Sequence, residues 1–474
     1  MRTTFDACRL PSFSSESPTG PPTLAWETID VSEGVAVRYP AWPGDAAERL
    51  LEVLREAGAR LADVPVRDLV TCVGRVADRF LDPSDLIRHR AIDLLVPTAG
   101  LSKEMASEIL TGMARDWTAE RLTELLRREL QDPGVLDGFC RLDEGRSVRA
   151  KGPLLTFHVG AGTVPGVSVT SMIRALLVKS AVLLKPGLRD VVLPVLFAEA
   201  LAEEAPELSD AMAVTYWPGG SSPLEGLALQ RAEAVVAYGG NEAIRSLRTR
   251  TPVTARFIAY HHRVSVGLVG REALTAERAP RVAQMVARAV SMFDQRGCVS
   301  AHAIYLEEGG AVAPGEWAAL LASAMADLEA ELPGGELTAA DASAVHQMRG
   351  SAELREASGK GVRVFRADES FWTVILEDEM GFTHSCLNRV VSLFPTSDLG
   401  AVVGSLGELR SYLQTVAVEG ADDRLPMLAE ALCRAGATRV TTFEKAPWPP
   451  PWWHQDGDSV FAGLIRWIDL EVIG

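Results

Sequence analysis

Between Gly152 and Arg248 the sequence repeats one unit four times. Residues 154–159 are almost wholly apolar, and a glycine-rich turn (160–166) and a helical pattern (168–178) follow. The second unit is 181–185, a Pro186-Gly187 turn and a helix over 191–204. The third is 211–217, the turn 218–222 and a helix to Ala232. The fourth is 234–238, the turn Gly239-Gly240-Asn241 and a helix to Arg248. Short apolar strands alternating with helices predict a doubly wound α/β fold, a parallel sheet covered on both faces. Ligands of such sheets sit at the carboxyl ends of the strands, where helix N-termini gather unpaired N–H groups.

A chain of 474 residues is too long for one such core. A second α/β unit begins at Arg263, with strands over 264–269, 301–306, 361–365, 373–376 and 389–394. Its helices are placed at 281–292, 317–330, 406–413 and 425–435, and residues 439–442 are extended. Upstream, 45–139 has helical periodicity, with stripes Leu50, Leu51, Leu54, Leu61 and Leu69, Val70, Val73, Val76, Phe80. Further helices are expected at 85–95, 103–115 and 119–130, the last N-capped by Thr118. Residues 1–25, rich in proline and serine, read as a flexible arm, and 35–39 as a short strand. The Pro/Trp-rich tail from Pro447 cannot be a helix interior, and its aromatics suggest burial against another surface such as a second subunit.

The net charge of −16 argues against nucleic acid as a partner. No apolar run reaches the length of a membrane span, and the first residues lack a signal-peptide core, so a cytoplasmic protein is expected. The six cysteines show no CxxC spacing, which favours reduced thiols over disulfides or a metal site.

One cysteine stands apart. Cys298 follows the polar turn Phe293-Asp294-Gln295-Arg296-Gly297, between a predicted helix and a predicted strand. A thiol there can face a cleft, so Cys298 is the candidate nucleophile and Asp294 caps or orients its turn. The other five cysteines read as idle thiols, and nothing around His384 and Cys386 supports a catalytic pair. The loop from Gly160 has the spacing GxGxxxG, one residue longer than a dinucleotide fingerprint. Pro165 also removes a donor there, so the loop reads at least equally well as a tight strand-to-helix turn.

Four stretches together resemble the acyl-CoA reductases of the bioluminescence fatty-acid reductase type (LuxC-like), a branch of the aldehyde dehydrogenase superfamily. They are Gly162-Thr163-Val164-Pro165-Gly166, Val182-Leu183-Leu184-Lys185-Pro186, Gln295-Arg296-Gly297-Cys298, and the tail Trp448–Trp453 with Ile465-Arg466-Trp467-Ile468-Asp469. The resemblance implies an aldehyde dehydrogenase-like fold: a helical region over 26–148, a cofactor domain over 149–262, a catalytic domain over 263–444 and an oligomerisation tail over 445–474. It implies reduction of an acyl thioester, carried by CoA or a carrier protein, to an aldehyde through a Cys298 acyl-enzyme. An acyl-activating partner enzyme and a homo-oligomer are implied with it. Thr163 stands where the family has an asparagine oxyanion donor. The superfamily's glutamate base is missing from Ala259-Tyr260-His261-His262-Arg263, where His261 or His262 could instead protonate the departing thiol or the oxyanion, the rival reading being a structural pair. Lys185 would approach the adenine ribose; where members preferring the unphosphorylated cofactor often place a glutamate shortly after that lysine, this chain has Gly187 and Leu188, then Arg189, which favours NADPH. Gly219, Ser221, Gly239 and Gly240 would neighbour the adenine and pyrophosphate. Glu377, Asp378 and Glu379 depart from the family's ribose-binding motif and read as a solvated turn. The rival readings are an acyltransferase or thioesterase using Cys298, and a catalytically silent scaffold kept open by Thr163.

Overall fold

A computed structural model describes residues 3–12, 23–143, 145–220 and 222–471. Ser221, an expected cofactor contact, lies outside them, as do residues 13–22 of the expected arm. The near part of that arm is not loose. Thr3–Asp6 pairs in parallel with Val35–Ala41, and Cys8–Arg9 pairs antiparallel with Met212–Thr215. Phe5 and Ala7 are buried there, and their apolar area holds the segment down.

Five helices follow: Gly44–Leu61, Val66–Leu81, Leu86–Ala99, Lys103–Asp116 and Ala119–Leu130. Leu69, Val70, Val73, Val76 and Phe80 form the buried stripe of the second. Asp85 and Ser102 cap the third and fourth, accepting from the Ile87 and Met105 N–H groups at 2.8 and 3.1 Å. Thr118 precedes the fifth helix, but its hydroxyl donates backwards to the Arg115 carbonyl (2.9 Å) and makes no side-chain cap.

The first large sheet runs in the order Arg256–Tyr260, Ala234–Tyr238, Leu155–Val159, Ala181–Lys185, Met212–Thr215 and Cys8–Arg9. Its first five strands are parallel. Strand order reverses beside Leu155–Val159, so the loops after it and after Ala234–Tyr238 flank a crevice. The second large sheet runs Arg363–Phe365, Thr373–Leu376, Val390–Thr396, Ala301–Glu307, Val264–Val269, Leu413–Glu419 and Arg439–Thr441. Only its first strand is antiparallel.

Other elements also differ from the sequence pattern. The helix expected over 406–413 lies earlier, at Leu399–Leu406, and Leu413–Glu419 is a strand. Leu406, Leu409 and Leu413 mimic a helical stripe, but the chain turns between them at Gly407–Leu409. The helix Ala339–Ala357 buries only Val345 and Ala352, so it carries no apolar stripe to read. The strand Arg256–Tyr260 is a half-buried sheet edge without a continuous apolar run.

Two strained turns meet behind Cys298. Phe293, Asp294 and Gln295 have φ of 59°, 49° and 63°, and Leu387, Asn388 and Arg389 have 64°, 54° and 60°. Each such residue costs of order 1–3 kcal/mol. One ion pair, 1% and 0% exposed, ties the turns together. Arg389 donates to Asp294 Oδ1 from Nε (3.0 Å) and Nη2 (2.7 Å), and to the Leu332 and Pro333 carbonyls. Asp294 accepts the Gly335 N–H at Oδ2 (3.3 Å) and the Asn388 N–H at its carbonyl (3.0 Å). Asp294→Ala strands a buried guanidinium, so urea unfolding is expected to show a loss of about 3–5 kcal/mol. The double variant Asp294→Leu/Arg389→Met, which buries no charge, is expected to lose less than Asp294→Ala.

Candidate active site

From Ser291 to Glu307 every residue except Cys298 is buried. The turn is held from several sides. Ser265 Oγ donates to the Cys298 carbonyl (2.7 Å), and Gln295 Nε2 to the Ala301 carbonyl (2.9 Å). Arg296 reaches the Ala99 carbonyl (3.1 Å) and Asn388 Oδ1 (3.3 Å). A Cβ at Gly297 would meet the Phe293 ring at 3.0 Å, so only glycine lets the chain pass without displacing that ring.

Cys298 opens on a cavity of about 370 Å³. Thr163, Gly239, Gly240 and His262 line the same cavity, so the fold brings five of the expected residues together. The carboxyl end of the first sheet contributes Thr163, Gly239 and Gly240. The amino end of the second contributes Cys298, His302 and Gln414. Residues 447–451, Trp453, Gln455 and Asp456 close the cavity from the C-terminal side. The tail's aromatics pack on their own chain. Trp448 stacks edge-on to Phe293 at 5.0 Å, and Arg121 and Arg128 lie over Trp452. Gly112 makes room for Trp448, since a Cβ there would come within 2.3 Å of the indole.

The thiol is accessible at the cavity wall but crowded by protein. Burial, then the charge of Asp456, pushes its pKa up to about 11, against the lowering effects of Gln414, its own N–H and Arg263. His302, which the sequence reading passed over as a strand residue, is buried and accepts the Ser385 N–H at Nδ1 (3.2 Å). Burial takes its pKa down to about 4, so it stays neutral. His262 is also lowered, by burial and then by His384 and His261. The rings of His262 and His302 lie 6.2 and 6.0 Å from that of His384. Among the described residues no group of histidine, cysteine or carboxylate side chains is arranged to hold a metal.

The expected cofactor residues fall into two places. Gly239 and Gly240 line the cavity, and Gly240 precedes Asn241–Arg250 without a side-chain cap, leaving first-turn N–H groups for an anion. Lys185, Arg189 and Gly219 lie outside the cavity lining. Lys185 Nζ sits 5.6 Å from the Tyr216 ring centre, and burial lowers its pKa. Space beside Gly219 and Gly220 is open, with no atom within 4 Å of an added Cβ. Carboxylates from elsewhere in the chain act on both cations. Arg189 pairs with Asp341 (3.5 Å), and the Glu225 charge acts on Lys185. Both acids come from distant segments, so the run after Lys185 could not show them. Glu377 is no solvated turn either: it is buried and takes both Arg355 Nη groups (2.5 and 3.0 Å). At the Gly160 loop the tight-turn reading holds. Gly166 has φ 95°, and the buried Asp190 carboxylate takes the Gly166 and Ser168 N–H groups (2.9 and 3.2 Å) that a phosphate would need.

The comparisons agree with this architecture. The chain is 30% identical over 194 residues to a long-chain acyl-protein thioester reductase of Photobacterium phosphoreum, 39% of this chain and 36% of that one. With the protein of that description from Aliivibrio fischeri it shares 23% over 393 residues, 79% of this chain and 76% of the relative. The chain therefore spans about a third of the first relative's length and three quarters of the second's. Among solved structures, aldehyde dehydrogenase 21 from Physcomitrella patens superposes with a TM-score of 0.76 at 13% identity, covering 100% of this chain and 98% of that one. The fold is thus aldehyde dehydrogenase-like. The acyl-CoA reductase (LuxC) family profile matches residues 61–467, and the chain belongs to that family.

Proposed function

We propose that this protein reduces an acyl thioester to an aldehyde with NADPH, through an acyl group held on Cys298. One observation carries the reading: the exposed Cys298, set in an otherwise buried segment, opens on the cavity where the two sheets meet. The Cys298 sulfur attacks the thioester carbonyl and the carrier thiol leaves. The bound nicotinamide supplies the hydride that reduces the acyl group. The Cys298 N–H, the Thr163 hydroxyl and neutral His262 are the donors assigned to the oxyanion, and all three residues line the cavity. Collapse of the thiohemiacetal then frees the aldehyde and returns the cysteine.

The cofactor fits the first sheet. Gly219 and Gly220 leave open space for the adenosine, the uncapped start of Asn241–Arg250 takes the pyrophosphate, and Lys185 takes the 2′-phosphate. Arg189, held by Asp341, contributes positive charge at the loop that carries Gly162, whose Cα direction faces the Arg189 backbone N at 3.5 Å from an added Cβ. The acyl donor is a long-chain thioester on CoA or a carrier protein, supplied by an acyl-activating partner. The exposed strand Arg466–Glu471, with Trp467 and Leu470 outward, is assigned to a homo-oligomer contact. The compartment assigned with this reading is the cytoplasm, where nicotinamide and thioesters are available.

Two measurements test the reading. Intact-mass analysis after incubation with a long-chain acyl-CoA is expected to show one acyl adduct, absent in Cys298→Ala, whose aldehyde formation falls roughly 10³-fold or more. Adduct without aldehyde in the wild type assigns a transferase, and full aldehyde formation by Cys298→Ala removes the nucleophile. Lys185→Ala is expected to raise KM for NADPH about tenfold and to leave that for NADH nearly unchanged. An equal change for both cofactors removes the 2′-phosphate assignment.

A further inference from the structure

Two polar atoms near Cys298 are buried without a partner: Gln414 Oε1 and Asp456 Oδ2. Both residues line the cavity that Cys298 opens on, as does Arg263. Buried polar atoms are normally satisfied, so two orphans on one wall mark a place that works on something else. The Asp456 side chain is only 6% exposed. Its Oδ1 is fixed, accepting from Gln414 Nε2 at 2.6 Å and standing 3.1 Å from Arg263 Nε. Its Oδ2 is free, and its backbone holds a left-handed φ of 59° that sets the carboxylate in this place.

We propose that Asp456, from the C-terminal segment, is the general base for Cys298, and that Gln414 positions its carboxylate. The assignment rests on the acyl-enzyme reading above and supplies what that reading lacks. A thiol with a pKa near 11 is almost wholly protonated at neutral pH, so attack needs a proton acceptor. The S–H bond breaks, its electron pair stays on sulfur, and the proton goes to Oδ2. When the new S–C bond has formed and the bond to the carrier breaks, the same proton passes to the leaving thiolate. Carboxylate is regenerated. The Cys298 thiolate left as the aldehyde departs takes a proton from solvent. The other groups acting in this corner are Arg263, Tyr238 and Tyr260, which feel the Asp456 charge or pair with it, and Arg439, which feels the thiolate.

Asp456→Asn tests the inference because the two roles of the carboxylate predict opposite signs. Asparagine tolerates left-handed backbone and keeps an acceptor for Gln414. Removing the charge lowers the thiol's pKa, which the pH dependence of iodoacetamide alkylation reads and which also reports a folded cleft. If Asp456 is the base, acyl-adduct formation at pH 7 falls roughly 10²–10⁴-fold, although the thiol is more ionised. The rate of the variant then climbs about tenfold per pH unit below the thiol's new pKa, as attack by pre-formed thiolate requires. If adduct forms as fast or faster in Asp456→Asn, the base assignment is overturned. A wild type that forms no adduct overturns the acyl-enzyme reading instead, so the two failures are separable.

Discussion

A buried salt bridge, Asp294 to Arg389, fixes the geometry of the cleft. Six left-handed residues in two separate turns would relax if either turn were released. The pair holds both because each member has more than one duty. Arg389 spends its donors on Asp294 and on two carbonyls of the Leu332–Pro333 segment, and Asp294 reaches the Gly335 N–H and the other turn's backbone. Buried pairs contribute little net stability over apolar packing of the same volume. What apolar packing cannot do is satisfy those carbonyls and N–H groups while setting the direction in which residue 298 leaves the turn. The pair is therefore best understood as a geometric device.

That device matters because the sheets meet end to end. The connector from Tyr260 to Val264 is three residues long and carries His261, His262 and Arg263 directly from the edge of one sheet into the centre of the other. The carboxyl end of the first sheet thereby faces the amino end of the second, and loops from both line one cavity. Asp190 reinforces the division of labour. By occupying the N–H groups after the Gly160 loop it denies that helix start to phosphate, and leaves the loop free to present Thr163. Its own burial lifts its pKa to about 7, the cost of a carboxylate placed where an external anion commonly binds.

The four inner strands of the first sheet were legible because they are buried and nearly all apolar. The predicted runs 181–185 and 234–238 coincide with Ala181–Lys185 and Ala234–Tyr238. Cys298 was legible because a lone polar turn breaks an apolar stretch, and Asp294 was legible as the residue that orients it. The acids that act at a distance were not. Asp341, Glu225 and Asp456 reach Arg189, Lys185 and Cys298 from segments far away in sequence, and no local pattern marks them. His302 was hidden for another reason: inside a strand pattern it reads as one more alternating residue, and only the fold shows that the strand's first residues edge the cavity.

The position of a carboxylate relative to a thioester decides between reduction and hydrolysis. In the superfamily's hydrolytic members, by the resemblance set out above, a glutamate follows the Gly-Gly helix and activates the water that deacylates the cysteine. This chain puts Tyr260-His261-His262 on that side, and both His262 and His302 are kept neutral by burial. Neutral imidazoles can donate to an oxyanion, and with lowered pKa values they are weak bases toward water. The carboxylate arrives instead from the tail, clamped by Gln414 and Arg263 on the wall that Cys298 shares. A base on the sulfur's side can serve acylation without a partner base on the opposite side to drive water onto the acyl carbon. In the proposed mechanism the acyl-enzyme then survives until hydride arrives, which is the kinetic condition a reductase must meet.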